Sequence, residues 1–150
     1  MEHDSNTKQA IRNVSSGPLV CHSMRLRPGQ EVMRALLEFV EDHRLPSAFI
    51  LTCVGSVKEV KLRMADSSKI EIFKGPFEIV SLVGTLSAGG HVHGSFGDAE
   101  GHVIGGHVIG DMWVYTTAEI MVGEVGNTIF SRKPDEQTGW DELVIRPNKN

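Results

Sequence analysis

The sequence has no apolar run near the roughly 20 residues that span a bilayer as a helix, and Met1 to Ser16 lacks the basic-then-apolar order of a secretory signal. Both absences lead to the expectation of a cytosolic protein with no membrane partner. Cysteine is scarce. Cys21 and Cys53 are too few and too far apart to announce a disulfide framework, and their apolar, strand-like surroundings suggest buried free thiols. An excess of positive charge is missing as well: 15 Lys and Arg against 19 Asp and Glu give a net charge of −4, which opposes the counterion release behind most non-specific nucleic-acid affinity. The densest basic stretch, Lys58, Lys61, Arg63, Lys69 and Lys74, is interleaved with Glu59, Asp66 and Glu71 and is expected to be a solvated strand face. The phosphate loop Gly-x-x-x-x-Gly-Lys-Ser/Thr and the Gly-x-Ser-x-Gly elbow are also absent, since Gly84 to Gly89 has neither the lysine nor a following helix.

What remains is a 150-residue chain, 40% hydrophobic and rich in glycine, long enough to bury roughly 70% of its unfolded surface as one domain. From Gln30 to Arg44 the residues Val32, Met33, Leu36, Leu37 and Val40 fall on one helical stripe. Arg27-Pro28-Gly29 precedes this helix and Pro46 prevents its continuation. Glu31 suits its first turn, and His43 and Arg44 its last. The rest alternates with the period of strands: Leu19 to Leu26, Ala48 to Val54, Val57 to Met64, Ile70 to Phe73, Phe77 to Leu86, His91 to Phe96, His102 to Ile109 and Met112 to Val122, with weaker segments at Thr128 to Ser131 and Glu142 to Arg146. One main helix and about eight strands make an α+β domain around a largely antiparallel sheet. It is expected over residues 18–146, with a flexible leader at 1–17, a surface loop at Arg132 to Gly139 and a tail at 147–150.

Four of the seven histidines lie between His91 and His107. Asp98-Ala99-Glu100-Gly101 has the chemistry of a three-residue hairpin loop, with Gly101 left-handed, so Asp98 pairs with His102. Counting back from that pair places His93 directly across from His107. His91, two residues before His93, shares their face, whereas His102 falls on the other. Opposed β-carbons stand about 5 Å apart and i, i+2 neighbours roughly 7 Å, close enough for three imidazoles to converge on one ion. Zinc suits such a set and keeps a position open for water or substrate. Gly89, Gly90, Gly94, Gly105 and Gly106 leave room around the histidines. Ordinary hydrogen-bonded strand histidines are the simpler alternative, and a second bulge at Gly105-Gly106 would turn His107 away. Glu119 is a candidate general base, or else a solvated strand position. Trp113 and Tyr115 share a strand face suited to core or subunit packing.

Several ordered motifs, namely Leu26-Arg27-Pro28-Gly29, Ser47-Ala48-Phe49, Gly55-Ser56-Val57, Pro76-Phe77-Glu78-Ile79-Val80-Ser81-Leu82 and the histidine hairpin with Gly105-Gly106-His107, resemble the plant and prokaryote conserved domain from about Val20 to Val122. The resemblance implies a compact α+β sandwich, a homotrimer, and a metal on the positions of His91, His93 and His107. Plant members are AT-hook nuclear proteins that bind AT-rich DNA, but this chain has no Arg-Gly-Arg-Pro hook. The expected function is therefore a homotrimeric, zinc-binding protein with a small-molecule ligand at the metal, with a metal-dependent enzyme as its catalytic form. A DNA-binding or regulatory assembly module is the alternative.

Overall fold

The computed structural model describes residues 11–66 and 68–149. The first ten residues of the leader expected over 1–17 lie outside them. Seven strands and one helix follow in the order β1 (Leu19–Leu26), α1 (Val32–Asp42), β2 (Ala48–Arg63), β3 (Ile70–Thr85), β4 (His91–Gly97), β5 (Val103–Val125), β6 (Thr128–Pro134) and β7 (Asp141–Pro147). Ser15 and Asn148 already touch the folded body: the Ser15 hydroxyl lies 2.9 Å from that of Thr128, and the Asn148 N–H donates to the Asn127 carbonyl at 2.7 Å.

The expectation of one sheet of about eight strands is corrected to a mostly-strand chain with one short helix and two antiparallel sheets, of five and two strands. Three pairs of expected strands are each one long strand. Their expected breaks, at Gly55-Ser56, Lys74-Gly75-Pro76 and Gly110-Asp111, coincide with slips in the ladder register around Gly55/Val57, Val57/Glu59 and Glu59/Lys61. These are β-bulges, which bend a strand without ending it. The surface loop expected at Arg132 to Gly139 is in part the end of β6, paired to β7 through Lys133 with Glu142 and Pro134 with Asp141.

Within the larger sheet β2 pairs with β3, β3 with β4, β4 with β5, and β5 again with β2, so the ladder returns to its start. β1 extends it along the distal half of β5. Val57, Val60, Leu62, Val92, Phe96, Met112 and Val114 fill the interior and are fully or almost fully buried. Cys21, expected inside, is exposed on β1, and Cys53 is half-buried, its thiol pushed up to about 11 by burial.

The helix buries Val32, Met33, Leu36 and Val40 of the expected stripe and leaves Leu37 half-buried, and it begins two residues later than expected because Glu31 caps it. One Glu31 carboxylate oxygen accepts from the Arg34 N–H at 2.6 Å and the other from the Met112 N–H at 2.8 Å. A single buried side chain therefore satisfies a helix-terminal donor and fixes α1 to the bulged part of β5. Beyond the other end of α1, the His43 ring lies 2.9 Å from the Phe39 carbonyl, in line with its expected place at the helix end. Glu31→Ala leaves both donors without their acceptor and is expected to lower unfolding stability by about 1–3 kcal/mol, read as a lower urea midpoint at unchanged m-value. An unchanged midpoint would show that the cap does not join helix to sheet.

Candidate metal centre

The turn between β4 and β5 folds as its residues dictate. Gly101 adopts φ 85° and donates its N–H to the Asp98 carbonyl at 3.1 Å, while the Asp98 N–H donates to the His102 carbonyl at 2.9 Å. The Asp98 carboxylate accepts from the N–H groups of Glu100 and His102 at 3.0 and 2.8 Å. The register that follows is unbroken: Gly97 faces Val103, Ser95 faces Gly105, Gly94 faces Gly106 and His93 faces His107. The second bulge that Gly105-Gly106 could have hosted is not there.

His91, His93 and His107 consequently share one face, with ring centroids 5.0, 5.1 and 5.4 Å apart and one ring nitrogen from each within 4.8 Å of the others. The Nε2 atoms of His91 and His93 are 3.2 Å apart. Two nitrogens bound to one tetrahedral zinc at about 2.05 Å stand roughly 3.3 Å apart, so this donor set fits such an ion. His102 lies apart, 80% exposed, its ring 3.4 Å from the Asp98 carboxylate. Asp98, Glu100 and His102 form a second close group, accounted for by the turn that they build.

Behind the histidines, Gly84 on β3 (φ 142°) sits where a β-carbon would collide with the His91 carbonyl oxygen. In front of them opens a cleft of about 860 Å³, lined by Arg63, Gly89, Gly90, Gly105 and Gly106 together with Arg132, Trp140 and Glu142. Arg63 had been read as part of a solvated basic strand face. Its Nη2 instead lies 3.3 Å from Nδ1 of His107, and its guanidinium packs 5.3 Å from the centre of the Trp140 ring. Arg132, Trp140 and Glu142, which carry no local signal of a site in the sequence, reach it only through the folding back of β6 and β7. Glu119 is exposed on β5 opposite Arg25 and Val54, and it does not line the cleft. Trp113 is half-buried beneath Arg34 and Tyr115 is exposed.

Residues 15–126 match the model of the Plants and Prokaryotes Conserved (PCC) domain. The chain belongs to the PCC-domain family. Among its relatives are a bifunctional protein GlmU of Synechococcus sp., 35% identical over 95% of this chain, and the AT-hook motif nuclear-localized protein 18 of Arabidopsis thaliana, 28% identical over 89%. The chain spans only 23% and 52% of their respective lengths. Among solved structures, a Salmonella enterica protein superposes with a TM-score of 0.86 at 38% identity, covering 89% of this chain and 97% of the other. A protein of Archaeoglobus fulgidus described as metal-containing shares the fold at a TM-score of 0.70 and 23% identity, covering 91% of this chain and 99% of the other.

In this PCC-domain protein the cleft lies between the matched segment and the β6–β7 hairpin that follows it. Its electrostatics favour the neutral form of His107 and His91. Burial, then the Arg63 guanidinium, then the two other histidines push His107 down to about 4. Burial and the neighbouring His93 also lower His91, and Arg132 and Arg63 add to this against the opposing charge of Glu142. The unfolded chain would take up the His107 proton near pH 6.5 and the folded chain only near 4. Stability should therefore fall as pH drops through that window. In the metal-free protein, the NMR titration of His107 is expected near pH 4, and Arg63→Ala should shift it upward. Titration near 6.5 in both proteins would contradict this account.

Proposed function

We propose that this PCC-domain protein binds one zinc ion per chain through His91, His93 and His107 and acts on a small molecule held in the adjoining cleft. The observation that carries the proposal is the convergence of three imidazoles on one face, with two Nε2 atoms 3.2 Å apart. Neutral imidazole is the form that binds metal, and the low proton affinity of His107 suits that role. A zinc ion there would act as a Lewis acid toward a carbonyl or lower the pKa of water. The chain's own groups provide the rest: Trp140 and the hairpin shield one side of the cleft, and Glu142 faces His91 from across it. In this proposal Glu142, rather than Glu119, is the carboxylate placed to move a proton at the ligand.

The DNA-binding alternative finds little support on the surface. Lys74 pairs with Glu59, Lys69 with Glu71 at 2.7 Å, and Lys61 reaches Asp111 at 4.0 Å, so three of the five basic residues of that stretch have acidic partners. Among the described residues no helix is long and apolar enough to cross a membrane. Homotrimer formation belongs to the same proposal. Leu51, Val54, Val80 and Val83 stand 41–59% exposed on the strands, apolar area that association would cover.

Zinc content and affinity should be measured on protein purified without a histidine tag, for the wild type and four single variants, with circular dichroism to confirm folding. His91→Ala, His93→Ala and His107→Ala are each expected to weaken zinc binding more than the roughly 100-fold upper range for groups that merely support a ligand. His102→Ala should leave it intact. Loss of zinc in His102→Ala but not in His107→Ala would overturn the site. Light scattering on the same wild-type sample should report about three chains per particle, and a clean monomer would refute the trimer.

A further inference from the structure

We infer that the cleft selects a small organic carboxylate, whose charged end is received by Arg63 and Arg132 while its body lies against Trp140. The inference rests on the metal reading for where the reacting end of the ligand sits and for the net positive charge of the loaded site.

The two arginines come from different sheets, Arg63 from the end of β2 and Arg132 from β6. Both are half-buried, and among the described residues neither has a carboxylate within 4 Å. A partly buried guanidinium without a counter-ion is unusual unless something else supplies the negative charge. Each is held by neutral groups that leave donors free. Arg132 donates to the Thr85 hydroxyl at 3.3 Å and to the Asp141 carbonyl at 3.4 Å. Arg63 rests on the Trp140 ring with one nitrogen toward His107. A guanidinium carries five N–H groups in a planar fork, the shape that grips a carboxylate with two parallel bonds.

The remaining lining argues for an organic body. Met64, Ala65 and Ala88 join Trp140 on the walls, and glycine at 89, 90, 105 and 106 leaves the floor open down to the histidines. Asp141 and Glu142 also line the cleft, so its formal charge is balanced. The preference for an anion comes from placement: the unpaired guanidinium groups are its strongest fixed donors, and the site becomes net positive once a divalent cation is bound.

Isovalerate serves as the probe, with isovaleramide as its uncharged isostere and inorganic phosphate as a second anion, each titrated calorimetrically into zinc-loaded and metal-free protein. The expected result is binding of isovalerate to the zinc-loaded wild type, with isovaleramide at least tenfold weaker. Arg132→Ala, which removes a side chain hydrogen-bonded to none of the three histidines, should weaken isovalerate about tenfold or more while zinc content stays at the wild-type level. Arg63→Ala should weaken it as well, and Arg132→Lys should restore only part of the loss. Equal affinity for acid and amide, binding of phosphate without isovalerate, or arginine variants that bind like the wild type would each overturn the inference. A protein that takes up no zinc yet loses isovalerate on Arg132→Ala would refute the metal centre and leave the carboxylate site standing.

Discussion

The antiparallel pairing of β4 with β5 fixes two things at once. It closes the ladder that runs from β2 through β3 and β4 back to β5, and it sets the side-chain face on which His93 and His107 meet. Side chains alternate along a strand with a period of two, so a slip of one residue would send His107 to the opposite face and leave His91 and His93 without their third partner. The register is held locally by Gly101 and the Asp98 carboxylate at the turn. At the far end it is held by the close approach of β3 to β4 at Gly84, where no side chain fits. Arg63 adds a tertiary lock, because it lies opposite His107 on the other edge of β5 and reaches its ring.

Short-range chemistry made the hairpin legible in the sequence. Asp98, Gly101 and the alternation of His91, Val92 and His93 specify turn, register and face within seventeen residues, and nothing distant competes with them. The helix was legible for a similar reason, through the stripe of Val32, Met33, Leu36 and Val40. Gly55-Ser56, Gly75-Pro76 and Gly110-Asp111 were misread because the same residues that end a strand can also bend it. Whether the chain stops or bulges depends on whether a neighbouring strand continues to pair beyond the irregularity, and β2, β3 and β5 all do. Merging those three pairs turns the eight main strands expected into the five of the larger sheet, and the two weaker segments become β6 and β7.

The walls of the cleft could not be read locally at all. Arg63 belongs by spacing to a run of surface lysines, and only the bulged course of β2 against β5 turns it toward His107. Arg132, Trp140 and Glu142 stand in a hairpin beyond the matched residues 15–126, and their place at the site is a product of tertiary folding. The result is an unusual electrostatic arrangement: His91 and His107 are made poor proton acceptors by burial and by neighbouring arginines, with free guanidinium donors at the same opening. Burial and the arginine charges thus disfavour a proton on His91 and His107, which leaves their nitrogens free for the proposed cation.

The account stands or falls on whether one ion is held by the three histidines of the hairpin face. X-ray absorption at the zinc edge, on protein purified without a histidine tag, reads the ligands directly. The predicted spectrum shows three imidazole nitrogens at about 2.0 to 2.1 Å with one further light atom and no sulfur. A sulfur shell, or fewer than three imidazoles around the ion, would contradict it.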